Sequence, residues 1–316
     1  MNIDIHCHLR ALRTKGEWDK FVTQSALRDG LSEESIRERL SDWSDVTGDL
    51  IVKDMDDAGI DKSVLLPIDL ALKWGETAEL SVEGKIICLE ELHKIYAEAV
   101  NRHPDRLIMF GGIDPRRHGA LQFVERAMKE WNIKGLKLHP AMGGFDPSDK
   151  MCYRLYTKCE EWGLPILFHS GPQMAPHYDK YCHPLCFSDV SSDFPNLKII
   201  LGHACGAYWP GAAAMAANKA NVFLDICWWQ PRFLRRPLEN FYRPLRSMLD
   251  MCGSSKVMFG SDWPAYRVGR RSTHALFVKA FTEISDEVKA AGIEFKDEEI
   301  RRIMGGNAVK LLGIKE

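Results

Sequence analysis

The sequence predicts a (β/α)8 barrel, formed by one domain over residues 1–316. Eight short apolar segments alternate with helical segments along the chain, which is typical of a parallel sheet. The length of 316 residues suits one such barrel. Histidine, lysine and aspartate recur where the apolar segments end. The alternative is a doubly wound open sheet, but no Gly-x-Gly-x-x-Gly follows a strand and no Gly-Lys-Ser/Thr occurs.

The first strand begins almost at the first residue, because Ile3 and Ile5 alternate there with polar residues. A polar stretch at about residues 10–49 follows, which we interpret as inserted short helices near the barrel mouth. It contains Arg10 and Arg13, which either face the site or are solvated surface charges. The other strands are predicted at residues 62–67, 106–113, 133–139, 164–169, 197–203, 222–227 and 256–262.

Helices are predicted between these strands from apolar residues at helical spacing. The helix at 50–58 ends at Gly59 and that at 153–162 ends at Gly163, as glycine suits the residue after a helix. The other helices are predicted at 83–102, 119–131, 212–220, 238–251 and 274–290, with two short ones near Glu298 and Asn307.

Composition excludes several classes of protein. The 42 basic and 44 acidic residues give a net charge of -2, which offers no electrostatic basis for binding nucleic acid or an anionic membrane. No apolar run is long enough to cross a bilayer. The nine cysteines include no Cys-x-x-Cys pair, and Cys88 and Cys227 lie in apolar stretches, where a thiol acts as a small hydrophobic group. We therefore expect a cytoplasmic protein, with a homodimer possible.

Polar side chains at the ends of the predicted strands are the strongest functional signal. In a strand, residues i and i+2 face the same side, so His6 and His8 emerge together. Two imidazoles on one face suit a divalent metal when other strands supply further ligands. Core histidines would have no reason to prefer the carboxyl ends of strands, where barrel chemistry lies. The polar residues in or at the ends of strands are His6, His8, Lys137, His139, His169, His203, Asp225 and Asp262.

At these residues the chain resembles the amidohydrolase superfamily. The matching motifs are His6-x-His8, Phe168-His169-Ser-Gly, Leu201-Gly-His203, Phe259-Gly-Ser-Asp262-Trp-Pro and the tail from Ile303 to Gly313. They resemble most the amidohydrolase-2 branch, which includes aminocarboxymuconate-semialdehyde decarboxylase and other aromatic-acid decarboxylases. The resemblance runs from residue 3 to residue 313.

The resemblance implies a mononuclear metal site. The positions of His6, His8, His169 and Asp262 bind one divalent ion in that branch, usually zinc. Three imidazoles and one carboxylate also suit manganese or iron. His203 matches a residue that stays off the metal and acts on the water or the substrate. In binuclear relatives a second ion is held at the positions of His169 and His203 and is bridged by a carboxylated lysine or glutamate. Here Lys137 is the candidate bridge, or it holds a substrate carboxylate by its charge.

Residues beyond this group have competing interpretations. Arg232 and Arg267 follow the last two strands and either clamp a substrate carboxylate or are surface charges. Trp228, Trp229 and Trp263 line a pocket for a planar substrate or pack at the rim. Three further candidates are weaker. His139 either lies behind the metal ligands or closes the fourth strand. We expect Asp4 to be structural and Cys182-His183-Pro-Leu-Cys186 to be a loop.

Three functions follow from these residues. The first is a metal-dependent hydrolase in which Asp262 and His203 use metal-activated water on an ester, lactone or amide of a small organic acid. The second keeps the same site but decarboxylates or hydrates an unsaturated or aromatic acid, with Lys137, Arg232 and Arg267 binding its carboxylate. The third is a barrel that binds metal or ligand without catalysis, which predicts a missing ligand or base, although all are present.

Overall fold

Eight parallel strands close into a (β/α)8 barrel in a computed structural model of the protein. The structure describes residues 1–9, 19, 22–27, 30–41, 45–69, 80–82, 85–173, 177–230, 237–264, 267–268, 271–272 and 274–315. The strands are β1 (Ile3–Cys7), β2 (Lys62–Leu65), β3 (Leu107–Met109 and Gly111–Gly112), β4 (Leu136–Leu138), β5 (Ile166–His169), β6 (Ile199–Gly202), β7 (Val222–Asp225) and β8 (Val257–Met258). Each pairs with the next in chain order.

Backbone hydrogen bonds close the barrel between β1 and the chain around β8. The N–H of Ile5 donates to the carbonyl of Phe259 (3.2 Å). Beyond the end of β8, the N–H of Asp262 donates to the carbonyl of His6 (2.8 Å), and that of His8 donates to the carbonyl of Trp263 (2.7 Å). The loop after β8 is therefore held directly against the residues that end β1.

Helices surround the barrel. They are α1 (Glu33–Ser41), α2 (Asp49–Ala58), α3 (Leu89–Arg102), α4 (Ala120–Glu130), α5 (Pro140–Gly143), α6 (Lys150–Trp162), α7 (Ser188–Asp193), α8 (Trp209–Asn218), α9 (Glu239–Cys252), α10 (His274–Thr282), α11 (Asp286–Ala290), α12 (Asp297–Arg301) and α13 (Asn307–Leu312). Short 3₁₀ turns cover Asp179–Cys182, Pro184–Phe187, His203–Tyr208 and Ser254–Lys256, and a π turn covers Arg302–Gly306. No helix of the described residues is both long and apolar enough to cross a membrane.

Three sequence predictions differ from the structure. A hairpin of Leu80–Val82 with Lys85–Ile87 occupies the start of the predicted helix at 83–102, because Gly84 disfavours helix and Ile86 and Ile87 favour strand. The predicted helix at 274–290 divides at Ser285, whose extended backbone begins a second helix. The predicted loop from Cys182 to Cys186 includes parts of two 3₁₀ turns, Asp179–Cys182 and Pro184–Phe187.

The predicted insertion at residues 10–49 is described only in part. It contains α1 and a helical segment at 22–27. Arg10 and Arg13 lie outside the described residues. The bounds of the insertion and the assignment of one domain remain predictions.

Apolar side chains form two buried layers. The outer layer lies between the strands and the helices. The inner layer fills the lower barrel with residues from six strands and from α13: Ile3, Ile5, Val64, Leu66, Phe110, Leu167, Ile200, Met258, Ala308 and Leu311. Because α13 contributes Ala308 and Leu311, the C-terminal helix covers the end of the barrel opposite the strand carboxyl ends.

A bulge in β1 turns its polar residues inward. Ile3 and Ile5 belong to the inner layer, so simple alternation would turn His6 outward. The register of β1 against β2 shifts between Asp4 and Cys7, and an extra residue of this kind re-aims the side chains that follow it. Lys137 faces the inside of the barrel, because its neighbours Leu136 and Leu138 belong to the outer layer. His6 contacts Lys137 and therefore faces inward as well.

Candidate active site

His6, His8 and Asp262 converge at the carboxyl ends of the strands. Oδ1 of Asp262 lies 3.6 Å from Nε2 of His6 and 3.3 Å from Nε2 of His8. The His6 side chain is buried, and those of His8 and Asp262 are largely covered. This set of two imidazole nitrogens and a carboxylate oxygen is one of the groups able to hold a metal ion.

Hydrogen bonds on the far side of each ring orient both histidines. Nδ1 of His6 lies 2.6 Å from Oδ2 of the buried Asp225, and Nδ1 of His8 lies 2.6 Å from the carbonyl oxygen of Leu66. Both acceptors call for a proton on Nδ1, which leaves the Nε2 lone pair facing Asp262. Burial, followed by the charge of Lys137, holds the pKa of His6 well below its usual value. The residues present therefore fit a divalent cation.

Asp262 is ionised in this setting. Burial by itself raises the pKa of its carboxyl group, but the hydrogen bond to His8 and the charges of His6 and His203 bring that pKa to about 2. The backbone of Asp262 adopts φ 59°, a left-handed conformation that costs a non-glycine residue about 1 kcal/mol or more. His203 and Trp228, which follow β6 and β7, both have φ 62°. Strained backbone thus occurs after three neighbouring strands at the same end of the barrel.

Lys137 places a buried amine beside the metal group. Its Nζ lies 3.0 Å from Nε2 of His6, and its side chain is almost completely buried. Burial lowers the pKa of this amine, whereas the neighbouring acidic groups of Cys227, Asp225 and Asp262 raise it. An anion that enters the site can pair with this cation.

His203 lies on the other side of the site, next to His169. Nε2 of His203 is 2.9 Å from Nδ1 of His169, and the rings of His203 and His6 are 5.0 Å apart between centroids. His139 stacks on His169 at 3.9 Å between centroids, with 10° between the ring planes. Burial lowers the pKa of all three side chains, His139, His169 and His203, so they are neutral near pH 7.

The structure brings together most of the predicted site residues. His169 lies within the cluster, but its Nε2 is 2.6 Å from the carbonyl oxygen of Gly171 and its Nδ1 faces His203. Ligation of a metal by His169 therefore remains a prediction. Trp228 is about 43% exposed at the rim, whereas Trp229 and Trp263 are buried.

The structure does not describe the side chains of Arg232 and Arg267, the two predicted substrate-binding arginines. Arg267 belongs to a short hairpin of Arg267–Val268 with Arg271–Ser272, in which only the backbone is described. Arg232 lies outside the described residues. Their predicted role in substrate binding stays a prediction.

Two contacts of the site were not foreseen from the sequence. Cys227 was predicted to be a small hydrophobic group, but its Sγ lies 3.0 Å from Nδ1 of both His6 and His203. Gln173 reaches His169, with 3.0 Å between the two Nε2 atoms. The position of Cys227 two residues after Asp225 was the available signal, because strand residues at i and i+2 share a face. Cys88, also predicted in an apolar environment, is exposed.

A close backbone approach keeps the site compact. A Cβ at Gly260 would lie 2.8 Å from Oδ1 of Asp225 and 3.0 Å from Cβ of His6. Only glycine leaves room for both side chains at this position.

The chain is similar to amidohydrolases and to several decarboxylases. A sequence model of the family described as Amidohydrolase matches residues 3–314. A curated relative, 2-amino-3-carboxymuconate-6-semialdehyde decarboxylase of Dictyostelium discoideum, is 22% identical over 246 residues. That alignment covers 69% of this chain and only 64% of the relative.

Two solved structures share the fold. The 5-carboxyvanillate decarboxylase LigW of Sphingomonas paucimobilis is 17% identical with a TM-score of 0.64, and the match covers 99% of both chains. A dihydroxybenzoic acid decarboxylase of Polaromonas sp. JS666, with bound manganese and the inhibitor 2-nitroresorcinol, is 18% identical with a TM-score of 0.64. That match covers 100% of this chain and 98% of the other. At these identities the likeness demonstrates the fold alone.

Proposed function

Because the chain belongs to the amidohydrolase family, we propose that it is a metal-dependent decarboxylase of a small aromatic or unsaturated carboxylic acid. The observation that carries this proposal is that the buried amine of Lys137 and a second imidazole, His203, flank His6, the proposed metal ligand. Decarboxylation requires a positive charge to hold the carboxylate and a group that supplies a proton to carbon. The decarboxylases among the relatives support this function over hydrolysis of an ester, lactone or amide.

One divalent ion is the proposed cofactor. His6, His8 and Asp262 would hold it, with His169 as the further ligand expected from the resemblance. This donor set suits zinc and also manganese, and manganese is bound in one of the similar structures. When bound, the ion supplies positive charge that polarises the substrate oxygens.

The protein's own residues divide the remaining work. Lys137 pairs with the substrate carboxylate, assisted by Arg232 and Arg267, while Trp228 forms a wall of the pocket. The bond between carbon and the carboxylate then breaks, CO₂ leaves, and the electron pair stays on the substrate carbon. That carbon takes a proton that comes from solvent, and His203, whose resting imidazole is neutral, is placed to relay it. Asp262 accepts hydrogen bonds and would ligate the divalent ion, because its low pKa keeps the carboxylate ionised.

The test is a substrate panel in D₂O with the metal-loaded protein. Hydroxylated benzoic acids and unsaturated dicarboxylic acids are compared with aryl esters and lactones, while CO₂ release and product mass are measured. Release of CO₂ with one deuterium on the vacated carbon supports the proposal. Turnover of esters or lactones alone, without CO₂, would establish the hydrolase instead.

Two variants separate proton delivery from metal binding. His203→Asn should lose at least about 100-fold in kcat, the usual contribution of a general acid, with metal content unchanged. His6→Ala should lose the metal, which elemental analysis measures directly. About two Mn²⁺ ions per wild-type chain would contradict the mononuclear site and support Lys137 as a bridging ligand.

The protein is proposed to act in a reducing compartment such as the cytoplasm, because all nine cysteines are free thiols. Its proposed partner is a small carboxylic acid. A homodimer remains a hypothesis.

A further inference from the structure

Cys227 occupies a polar position among groups that bind metals. Its Sγ lies 3.0 Å from Nδ1 of His203 and 3.0 Å from Nδ1 of His6. The thiol also hydrogen bonds to the carboxylate of Asp225, whose Oδ1 accepts a hydrogen bond from the backbone N–H of Cys227 (2.7 Å). The sulfur therefore contacts two nitrogens and a carboxylate, and every one of these side chains is buried.

This environment differs from that of the cysteines in the core. Cys152, Cys159 and Cys205 are equally buried but belong to the apolar layer between strands and helices, where a thiol packs as a small hydrophobic group. Cys227 is buried outside both apolar layers. Its neighbours are the atom types that coordinate a soft divalent ion together with sulfur.

We propose that Cys227, His203 and Asp225 form a second binding position for a soft divalent ion, such as Zn²⁺ or Cd²⁺, directly beside the His6–His8–Asp262 group. His6 lies between the two positions: Nε2 faces Asp262, and Nδ1 faces Asp225 and Cys227. His6, His203 and Cys227 form one of the groups whose ligand atoms lie within 4.8 Å of one another.

The distances indicate a small opening on binding. Zn–S and Zn–N bonds of about 2.3 and 2.0 Å at a tetrahedral angle separate sulfur from nitrogen by roughly 3.5 Å. The present separation of 3.0 Å must therefore widen by about half an ångström. On binding, Cys227 releases its thiol proton to solvent and coordinates as a thiolate.

The two positions should prefer different ions. Nitrogen and carboxylate oxygen at His6, His8 and Asp262 accept manganese as well as zinc, whereas a thiolate selects the softer ions. Manganese should therefore fill the first position alone, and cadmium should fill both. If His203 carries the proton as proposed above, filling the second position also stops turnover, because it occupies that imidazole.

Cadmium titration tests the second position without any substrate. All proteins carry Cys88→Ser, which removes the exposed thiol. The parent should bind about two Cd²⁺ per chain by elemental analysis after dialysis and show the ultraviolet sulfur-to-cadmium charge-transfer band. Cys227→Ser should bind one fewer ion and lose the band, while the control Cys159→Ser should match the parent. With Mn²⁺ alone, the parent and Cys227→Ser should each bind about one ion.

Several results would overturn the proposal. A parent protein that binds only one Cd²⁺ without the band contradicts it, as does a band that persists in Cys227→Ser. Asp262→Asn provides an independent check, because it weakens the first position and should leave the cadmium–thiolate band in place. Loss of the band in Asp262→Asn would mean that the thiolate belongs to the first position. None of these readouts depends on decarboxylation, so the failure of either proposal is seen separately.

Discussion

Asp225 shows how one buried carboxylate can control a metal ligand. Its Oδ2 accepts from Nδ1 of His6 (2.6 Å), and this bond fixes which ring nitrogen is free to bind metal. Burial raises the pKa of Asp225, while the charge of His203 and the hydrogen bonds from Cys227 lower it. Asp225 therefore orients a ligand without binding the ion itself at the first position.

Replacing Asp225 should weaken metal binding more than it weakens folding. Asp225→Asn keeps the shape but gives a weaker, neutral acceptor, so affinity for Mn²⁺ should fall about 10- to 100-fold. Competition with a chelating dye measures it. Asp45→Asn is the matched control, because Asp45 is also buried but caps α2 through the N–H groups of Gly48 and Ile51. Equal losses of Mn²⁺ affinity in Asp225→Asn and Asp45→Asn would show that the loss comes from a general effect on stability.

His93 should make folding stability depend on pH. Its Nδ1 lies 2.7 Å from the carbonyl oxygen of Leu89, and its Nε2 accepts from the N–H of Gly112 (2.9 Å). Burial lowers its pKa from 6.5 to about 4. Above pH 6.5 neither state is protonated, so the stability is complete. As pH falls toward 4, the unfolded chain gains a proton first, and about 3 kcal/mol is lost.

Denaturant unfolding of His93→Gln between pH 7.5 and 5 isolates this effect. The variant should lose less stability over that range than wild type does, because glutamine does not titrate. Other buried histidines lower acid stability in both proteins, so the comparison rests on the difference between them. Parallel stability curves for the two proteins would contradict the assignment to His93.

At the scale of single residues, the sequence predicted the site from position alone. His6, His8 and Asp262 could be found because each lies at a strand end. The direction of the Cys227 thiol was harder to predict, because the apolar neighbours Ile226 and Trp228 mark the segment as core and only the spacing from Asp225 indicates a shared face. The ring orientation of His169 is equally inaccessible, since it depends on the Gly171 carbonyl and on His203.

The elements of the barrel were predictable because each strand is a short apolar run between helical patterns. What sequence reasoning could not provide were features set by contacts between elements. The bulge in β1 is one example, since it appears only in the register against β2. The hairpin of Leu80–Val82 with Lys85–Ile87 is another example. The helical pattern at Glu90, Leu92 and Ile95 does not mark where α3 begins, so the sequence does not separate the hairpin from the helix.

One contact between elements makes a testable case. A Cβ at Gly112 in β3 would lie 1.9 Å from the carbonyl oxygen of Pro67, which follows β2. The Cβ is fixed to the backbone and the carbonyl belongs to it, so neither can rotate away. Gly112→Ala should therefore lower the free energy of unfolding by several kcal/mol, more than the roughly 1–3 kcal/mol that is usual for core overpacking. Circular dichroism during heating should show a large loss of Tm or no folded protein.

The control for this substitution is Gly306→Ala. Its added Cβ would meet nothing closer than the Arg301 carbonyl oxygen at 3.4 Å, and alanine favours helix by up to about 1 kcal/mol. This variant should melt at or slightly above the wild-type temperature. A Gly112→Ala protein that melts with it would show that β2 and β3 can separate freely.

For the whole molecule, the candidate metal group joins the first strand to the segment after the last. A metal that binds only the folded chain therefore adds stability against unfolding of the entire barrel. At a free ion concentration of 100 times Kd the gain is about 2.7 kcal/mol. Thermal melts with and without Mn²⁺ should show it. His8→Ala should abolish most of the increase in Tm with Mn²⁺. His103→Ala should retain that increase, because the His103 ring pairs with Asp49 outside the site.

The closure of β1 against the residues after β8 also has a consequence for synthesis of the protein. His6 and His8 leave the ribosome well before Asp262, which follows 254 positions after His8. At about 5–20 residues per second, the nascent chain carries the two histidines without their carboxylate partner for roughly 10 to 50 s. Metal loading of the complete group therefore follows synthesis of the segment after β8, and a ribosome stalled before residue 262 presents only a partial chelator.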